Sequence, residues 1–410
     1  MKRLATVVCL LVLACCVAAT SNAQVTELSG HFGSNSTYHI KVPAQWNGDL
    51  VIWNHGFSLD PPEDVPDLGP LANLQLSEGY AVAASSYRAV GWATFGIQQD
   101  LKNLYDLFRR SFGVPAQVIV TGGSFGGLVT IQAIEEAKIG NVVGGLVLSG
   151  AIAGSPNWGG ALDARLVYDT ICSAVPGAAI PGGAAGLPKD SAFTRVDLAT
   201  ALYACFGVPG QQSPEQLQRA GLFVTTMRIP PEFVPTAMGY ATFGLADLTW
   251  DPHKLSGKSG VGNLGVDYGF PFINASIERI AANMGAQNKL EANYTPTGDT
   301  RGAKIVAIHT DKDGLVVVEN VKAYADLAPP DNFTAAVVVE ATPTHVGFTQ
   351  AEAVAAWESL RAWLEGAPQP GAVSIQGLCS TLVAGGLAAG PCRFDPTFVI
   401  QDLSTRIRPR

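Results

Sequence analysis

The hydrophobic pattern of the first third of the chain alternates between buried strands and amphipathic helices. Short apolar runs without polar alternation are typical of strands that are covered on both faces. Between two of them, residues 98–112 have the spacing of a helix with one apolar face. This alternation favours a mostly parallel sheet with helices on both sides. The predicted buried strands are residues 50–53, 80–84, 117–121 and 142–148.

The same alternation resumes near residue 304 after a long interruption. Residues 304–308 and 335–340 have the pattern of strands, and residues 316–327 and 351–365 have that of helices. We therefore predict an α/β fold with one mostly parallel central sheet and a large, mainly helical cap inserted into it.

The pattern also divides the chain into segments. We expect the sheet-forming core to comprise residues 24–154 and 299–365, and the cap to comprise residues 155–298. Residues 366–410 follow a Pro/Gly linker and form a C-terminal appendage.

Within the cap, helical spacing predicts helices over residues 213–244 and 272–290. The first is expected to begin at Ser213, because a serine N-cap followed by Pro214 is a helix-start signal.

The N-terminus has the pattern of a targeting segment. Basic Lys2 and Arg3 precede an apolar run, and a small-x-small cleavage site follows at residues 21–23. This predicts a signal peptide over residues 1–23 and a secreted or periplasmic protein. A lipoprotein signal, with a lipid anchor on Cys15, is the alternative. No other run is long and apolar enough to predict an integral membrane span.

Four cysteines remain after the expected cleavage. An even number in an exported chain predicts two disulfides, and three pairings are possible. Sequence proximity favours Cys172–Cys205 and Cys379–Cys392, the second within the appendage. None of the four has metal-ligand spacing, so we predict neither a bound metal nor a cofactor.

The charge balance limits the classes of molecule that the chain is expected to bind. The formal net charge is −8, and no cluster of Lys and Arg could follow a phosphate backbone, so nucleic-acid binding is not expected. The one dense basic stretch, residues 406–410, is predicted to be a solvated tail.

Residues 122–126 read G-x-S-x-G between a predicted strand and a predicted helix. This is the context of a nucleophile elbow, in which a serine occupies a strained turn at the end of a strand. The alternative is an ordinary serine in a Gly-rich turn. The context favours Ser124 as a nucleophile.

A nucleophilic serine needs a base, and the base needs an orienting acid. Of the six histidines, only His345 follows both Ser124 and a carboxylate on a loop after a strand. Asp313 and Asp311 both lie on the turn after the strand 304–308. Asp313 is favoured because a turn closed by Gly314 would aim its carboxylate inward, and Asp311 is the alternative acid. All of these candidates lie at the carboxyl ends of strands, where catalytic groups gather.

Negative charge that develops on a substrate oxygen needs preorganised donors. The backbone N–H of Phe125, next to the serine, is one candidate. The backbone N–H of Phe57, in the loop after the strand 50–53, is the other.

With these motifs the chain resembles the α/β-hydrolase superfamily. The resemblance rests on residues 54–57, 122–126, 309–313 and 344–345, and it extends to secreted bacterial serine esterases and prolyl-oligopeptidase-type hydrolases through residues 293–298. It implies the α/β-hydrolase fold and a triad of Ser124, Asp313 and His345. The chain departs from the pattern at Thr310, where many members carry glycine.

The leading functional hypothesis is a hydrolase of carboxylic esters. The apolar and aromatic cap favours a small or oligomeric hydrophobic substrate, such as an aryl or alkyl ester or a polyester oligomer. The alternative is a serine peptidase, for which Arg88, Arg228 and Glu232 could hold a peptide terminus. A third hypothesis is a non-catalytic binding protein on the same scaffold.

Overall fold

One eight-stranded sheet organises the structure, a computed structural model that describes residues 25–33 and 36–410. The signal peptide predicted for residues 1–23, and the alternative anchor at Cys15, lie outside the described residues. The strands are β1 Thr26–Phe32, β2 Ser36–Val42, β3 Leu50–Asn54, β4 Ala81–Ser85, β5 Val118–Gly123, β6 Val142–Leu148, β7 Lys304–Thr310 and β8 Phe333–Val338.

The strand order is β1-β2-β4-β3-β5-β6-β7-β8. β2 is antiparallel to both β1 and β4, and every pairing from β4 to β8 is parallel. With the strand–serine–helix turn that follows β5, this is the α/β-hydrolase fold, so the predicted fold class is confirmed.

The helices connect these strands or belong to the cap. They are α1 Ala72–Ser77, α2 Ile97–Phe112, α3 Phe125–Glu136, α4 Asn157–Cys172, α5 Arg195–Phe206, α6 Pro214–Met227, α7 Val234–Gly239, α8 Leu245–Trp250, α9 Pro271–Ser276, α10 Met284–Ala292, α11 Glu319–Ala325, α12 Gln350–Leu364 and α13 Ala372–Ala384. A π-helical turn, Tyr240–Gly244, joins α7 to α8.

Both faces of the sheet are covered, which explains the unbroken apolar runs. In β7, Ile305 and Ala307 pack in one hydrophobic cluster with α2, α3 and α11. Val306 and Ile308, which point to the opposite face, pack in a second cluster with α12 and α13. Side chains alternate between the two faces of a strand, so a strand covered twice has apolar residues at every position.

The segment between β6 and β7 forms α4 to α10 around a hydrophobic cluster of its own. The start of α6 is as predicted, because Ser213 and Gln216 form a capping box beside Pro214. The continuous helix predicted over residues 272–290 is wrong. α9 ends at Ser276 and α10 begins only after Asn283, whose side chain accepts a hydrogen bond from the N–H of Ala286 (3.1 Å).

Two disulfides are present, and both are the pairings favoured by proximity. Cys172–Cys205 links the ends of α4 and α5, and Cys379–Cys392 closes a loop in the appendage. Across residues 25–33 and 36–410, none of the helices combines the length and the apolarity needed to cross a bilayer.

The C-terminal residues are bound to the cap, so the predicted solvated tail is wrong. Arg408 is only 5% exposed; its Nε donates to the carbonyl of Asp267 (3.0 Å), and its guanidinium stacks on the ring of Tyr268. Arg410 donates to Oδ2 of Asp163 (2.7 Å). Each guanidinium carries five donors, which here satisfy carbonyl and carboxylate groups of the cap.

A buried carboxylate fixes the segment that leads from the cap back into the core. Oε2 of Glu135, near the end of α3, accepts hydrogen bonds from the hydroxyl of Tyr294 and from both the N–H and the hydroxyl of Thr297 (2.8 Å each). Oε1 accepts from the N–H of Gly298 (2.8 Å). Glu135 thus binds the stretch 293–298 that carried part of the resemblance.

Replacing Glu135 with alanine should destabilise the protein strongly. The substitution leaves several buried donors without acceptors, and each such group costs about 1–3 kcal/mol. We expect Glu135→Ala to lower the free energy of unfolding in urea by at least about 3 kcal/mol. The matched control is Glu291→Ala in α10, whose exposed carboxylate accepts a hydrogen bond from the exposed Gln287 and should matter by less than about 1 kcal/mol. Equal effects of the two substitutions would contradict this role for Glu135.

Candidate active site

Ser124 occupies the turn between β5 and α3. Its φ of 56° and ψ of −125° lie outside the regions that non-glycine residues normally adopt. The strained turn is held by β6 and the loop after it, because the N–H of Ser124 donates to the carbonyl of Leu148 (2.9 Å) and its carbonyl accepts from the N–H of Ala151 (3.0 Å). Strain of this kind persists only where the surroundings determine it fully, and it presents the serine hydroxyl at the edge of the sheet.

The two glycines of the motif are required by close backbone approach. A Cβ on Gly122 would overlap the carbonyl of Gly126, and a Cβ on Gly126 would overlap the carbonyl of Asn54 at the end of β3. The G-x-S-x-G spacing therefore lets α3 begin directly against two strands.

Asp313 and His345, which follow β7 and β8, are in contact. Oδ2 of the buried Asp313 lies 2.6 Å from Nδ1 of His345. The other carboxylate oxygen, Oδ1, accepts from the N–H groups of Leu315 (2.9 Å) and Val316 (3.0 Å). These two bonds fix the carboxylate, which in turn fixes the imidazole.

The opposite nitrogen of the His345 ring is left available. Nε2 is buried and has no hydrogen-bond partner among the residues that the structure describes. With Nδ1 donating to Asp313, Nε2 carries the lone pair and can accept a proton. The next residue, Val346, packs near the elbow, because its Cγ1 lies 3.8 Å from the position of a Cβ on Gly123.

Asp311, the alternative acid, has a different partner. Its Oδ1 accepts from the N–H of Glu340 (2.8 Å). Thr310, where the chain departs from the superfamily pattern, donates its hydroxyl to the carbonyl of Thr344 (3.2 Å). Both residues thus connect the acid turn to the histidine loop, and the structure brings Asp313 rather than Asp311 to His345.

A second histidine lies beside Asp313. Nε2 of His309 is 3.7 Å from Oδ2 of Asp313 and 2.7 Å from the carbonyl oxygen of Val316. Burial lowers the pKa of His309, and the charge of Asp313 opposes this only in part. Because His309 is neutral, it does not compete with His345 for the charge of the Asp313 carboxylate.

The loop after β3 lies against the elbow and carries Phe57. A Cβ on Gly56 would be 3.6 Å from Cβ of Ser124. The ring of His55 stacks on that of Tyr87 at 3.9 Å, and its Nδ1 lies 2.7 Å from the carbonyl oxygen of Gly56. Burial lowers the pKa of His55, so this ring stays neutral where it packs between the loop and Tyr87. The N–H groups of Phe57 and of Phe125, the first residue of α3, stay the candidate oxyanion donors.

A cleft with about 870 Å³ of empty space, partly open to solvent, contains Ser124. Its walls come from the core, from the cap and from the C-terminal tail, and most of them are apolar or aromatic. Burial raises the pKa of the Tyr240 hydroxyl, and the charge of Asp313 adds to this, so the hydroxyl stays neutral. The lining residues include Phe57, Trp92, Phe125, Trp158, Met227, Tyr240, Val316, Arg406 and Ile407.

The residues suggested for holding a peptide terminus have other contacts. Arg88 pairs with Asp100 (2.6 Å), and Arg228 donates to the carbonyl of Thr405 (2.7 Å). Glu232 is exposed. Among the described residues that line the cleft, the cation is Arg406. The sequence did not indicate it, because nothing local marks an arginine near the C-terminus as part of a site.

No group of three or more His, Cys, Asp and Glu side chains in the described ranges, 25–33 and 36–410, is arranged to hold a metal ion.

Comparison with known proteins finds distant similarities. No family model matches the chain. The o-phthalyl amidase of Xanthobacter agilis is 29% identical over 115 residues, which are 27% of this chain and 24% of the amidase, so the match spans about a quarter of that protein's length.

Among solved structures, feruloyl esterase B from Aspergillus oryzae has a TM-score of 0.43 at 13% identity, over 83% of this chain and 81% of that one. An esterase of Pyrococcus furiosus has a TM-score of 0.37 at 14% identity, over 84% and 90%. The acylaminoacyl peptidase of Pyrococcus horikoshii has a TM-score of 0.36 at 12% identity, over 80% and 38%.

The crowding at Gly126 gives a direct test of the elbow. Gly126→Ala should prevent folding or lower the free energy of unfolding by several kcal/mol, because the new methyl group meets fixed backbone. Gly221→Ala is the matched control: it lies in the middle of α6 with no atom near its Cβ position, so it should leave stability unchanged or raise it by about 0.5–1 kcal/mol. Urea unfolding followed by circular dichroism measures both. A fully stable Gly126→Ala variant would show that the turn is not constrained as described.

Proposed function

We propose that this protein is a serine hydrolase that cleaves carboxylic esters through an acyl-enzyme intermediate. The observation that carries the proposal is the 2.6 Å contact between His345 Nδ1 and Asp313 Oδ2, which leaves Nε2 unpaired. It supports the proposal because Ser124 lies at the same edge of the sheet, in a turn that exposes its hydroxyl to the cleft.

In the proposed reaction, Oγ of Ser124 attacks the ester carbonyl carbon while Nε2 of His345 takes the hydroxyl proton. Asp313 stabilises the resulting imidazolium. The N–H groups of Phe57 and Phe125 hold the oxyanion of the tetrahedral intermediate. The imidazolium then gives its proton to the departing alcohol oxygen as the ester C–O bond breaks. A water molecule, deprotonated by His345, hydrolyses the acyl-serine and restores the enzyme.

The cleft supports a hydrophobic substrate. The rings of Phe57, Trp92, Trp158 and Tyr240 line the same cleft as Ser124, and such walls favour aryl or alkyl esters or oligomers of a polyester. The two disulfides support an exported enzyme, because such bonds persist in oxidising compartments.

The second candidate is an amide hydrolase, because the same three residues can cleave amides. The observation in its favour is the segment shared with the o-phthalyl amidase. A peptidase would also have to bind the terminus of its peptide substrate. Arg88 and Arg228 are not available for this, because Arg88 pairs with Asp100 and Arg228 donates to the carbonyl of Thr405.

Ser124→Ala should remove the activity, because the nucleophile of a triad is worth up to about 10⁶-fold in kcat. The assay uses 4-nitrophenyl acetate, 4-nitrophenyl butyrate and a panel of 4-nitroanilides that includes proline 4-nitroanilide. We expect ester cleavage to exceed anilide cleavage in the unmodified protein. Full ester hydrolysis by Ser124→Ala would refute the proposed nucleophile, and anilide cleavage far above ester cleavage would favour the amide hydrolase.

Asn substitutions at the two aspartates should separate their roles. Asp313→Asn should lower kcat by about 10³–10⁴-fold, because the amide cannot stabilise the imidazolium and can select the wrong tautomer. Asp311→Asn, two residues away on the same turn, should lower kcat by less than about tenfold, since its carboxylate contacts Glu340 instead. Equal and mild effects on 4-nitrophenyl butyrate hydrolysis would mean that the orienting carboxylate lies elsewhere.

A further inference from the structure

Among the described residues that line the cleft, Arg406 alone carries a charge. It belongs to the C-terminal tail, directly before Ile407, and both residues contribute to the same wall. The other lining residues are mostly apolar or aromatic and would by themselves suit a wholly neutral substrate. Taking a charged group out of water costs free energy unless it is paired and hydrogen-bonded, so the position of Arg406 at such a surface calls for a function.

Contacts with the cap hold the tail on both sides of Arg406. Before it, Arg228 of the cap donates to the carbonyls of Ser404 (3.2 Å) and Thr405 (2.7 Å). After it, Arg408 and Arg410 are bound to the cap through Asp267 and Asp163. These contacts anchor the backbone on both sides of Arg406, so little backbone entropy is lost when its side chain binds a ligand.

The guanidinium of Arg406 is incompletely satisfied. Its Nε is buried without a hydrogen-bond partner in the part of the chain that the structure describes. Its nearest anionic group is Oε1 of Glu319, at 3.7 Å from Nη1, which is longer than a hydrogen bond. Oε2 of Glu319 is also buried without a partner, and burial raises the pKa of this carboxyl group. Glu319 therefore offsets part of the charge and leaves the donors of Arg406 largely unused.

We infer that Arg406 is a specificity-determining residue that binds a carboxylate on the substrate, so that the preferred ester carries an anionic group on its apolar part. The inference rests on the proposed function. A guanidinium presents two parallel N–H groups that match the two oxygens of a carboxylate, and a partly buried pair of this kind is strong. The aromatic walls bind the apolar body of the same molecule. Half-esters of dicarboxylic acids and esters of hydroxy acids both have this chemistry.

Two pairs of esters test the inference and locate the carboxylate. The acyl pair is 4-nitrophenyl benzoate and the mono-4-nitrophenyl ester of terephthalic acid. The alcohol pair is phenyl benzoate and 4-carboxyphenyl benzoate. At pH 8 both carboxylates are ionised. We expect the unmodified protein to have the higher kcat/KM for the carboxylated member of at least one pair, chiefly through a lower KM.

Arg406→Gln should lower kcat/KM for that carboxylated ester by about 10- to 100-fold, the usual range for a hydrogen-bonded charge. Its kcat/KM for the neutral partner should stay within about threefold, which also shows that the variant is folded. Arg406→Lys keeps the charge and should retain part of the preference. Arg110→Gln, the same change at an exposed position of α2, is the matched control and should leave both values unchanged.

Absence of a preference in both pairs, or equal losses by Arg406→Gln on the neutral and the carboxylated ester, would overturn the inference. Neither result bears on the proposed function, which is judged by whether hydrolysis of the neutral ester requires Ser124. Hydrolysis of the neutral ester at the full rate by Ser124→Ala would instead refute the proposed function.

Discussion

The site depends on one steric constraint at the end of β5. Ser124 can hold a positive φ only because Gly122 and Gly126 leave room for backbone to approach backbone. The same contacts set α3 against β3 and β5, so the position of the serine and the packing of the sheet are a single arrangement. Strain at one residue is tolerated because hydrogen bonds from β6 and the loop after it determine the turn completely.

The site also depends on which buried groups remain uncharged. Burial lowers the pKa of His309 and of His55, so both rings stay neutral beside the residues they support. Asp313 receives two backbone N–H groups on one oxygen and His345 on the other. Its charge is thereby directed to one imidazole, and the nitrogen of that ring which faces away from the acid is left free to take a proton.

The structural features that sequence predicted are those with local causes. The turn at Ser124 is marked by its glycines and by the strand and helix beside it, and Asp313 and His345 are marked by their places directly after strands. The catalytic roles of these three residues stay predictions. The parallel sheet follows from apolar runs that only doubly covered strands require. Sequence did not predict the break between α9 and α10, because residues 277–283 keep a helical spacing. In the structure Arg279 donates to the distant carbonyls of Asn263 and Val266, and Asn283 caps the start of α10.

The features that sequence could not predict are made by contacts between distant parts of the chain. Glu135 binds Thr297, which lies 162 positions later, and Arg406 lines the cleft in a tail that is bound to the cap. The three residues of the proposed reaction and the walls of the cleft therefore come from different kinds of contact. In the proposed reaction, the core supplies the nucleophile, the base and the acid through short-range geometry. Part of the wall of the cleft comes from the cap and the tail. The cap is attached to the core by the buried contacts of Glu135, and the tail is attached to the cap. Under the proposed function, substrate preference can therefore change through the cap and the tail while the elbow and the Asp313–His345 pair stay as they are.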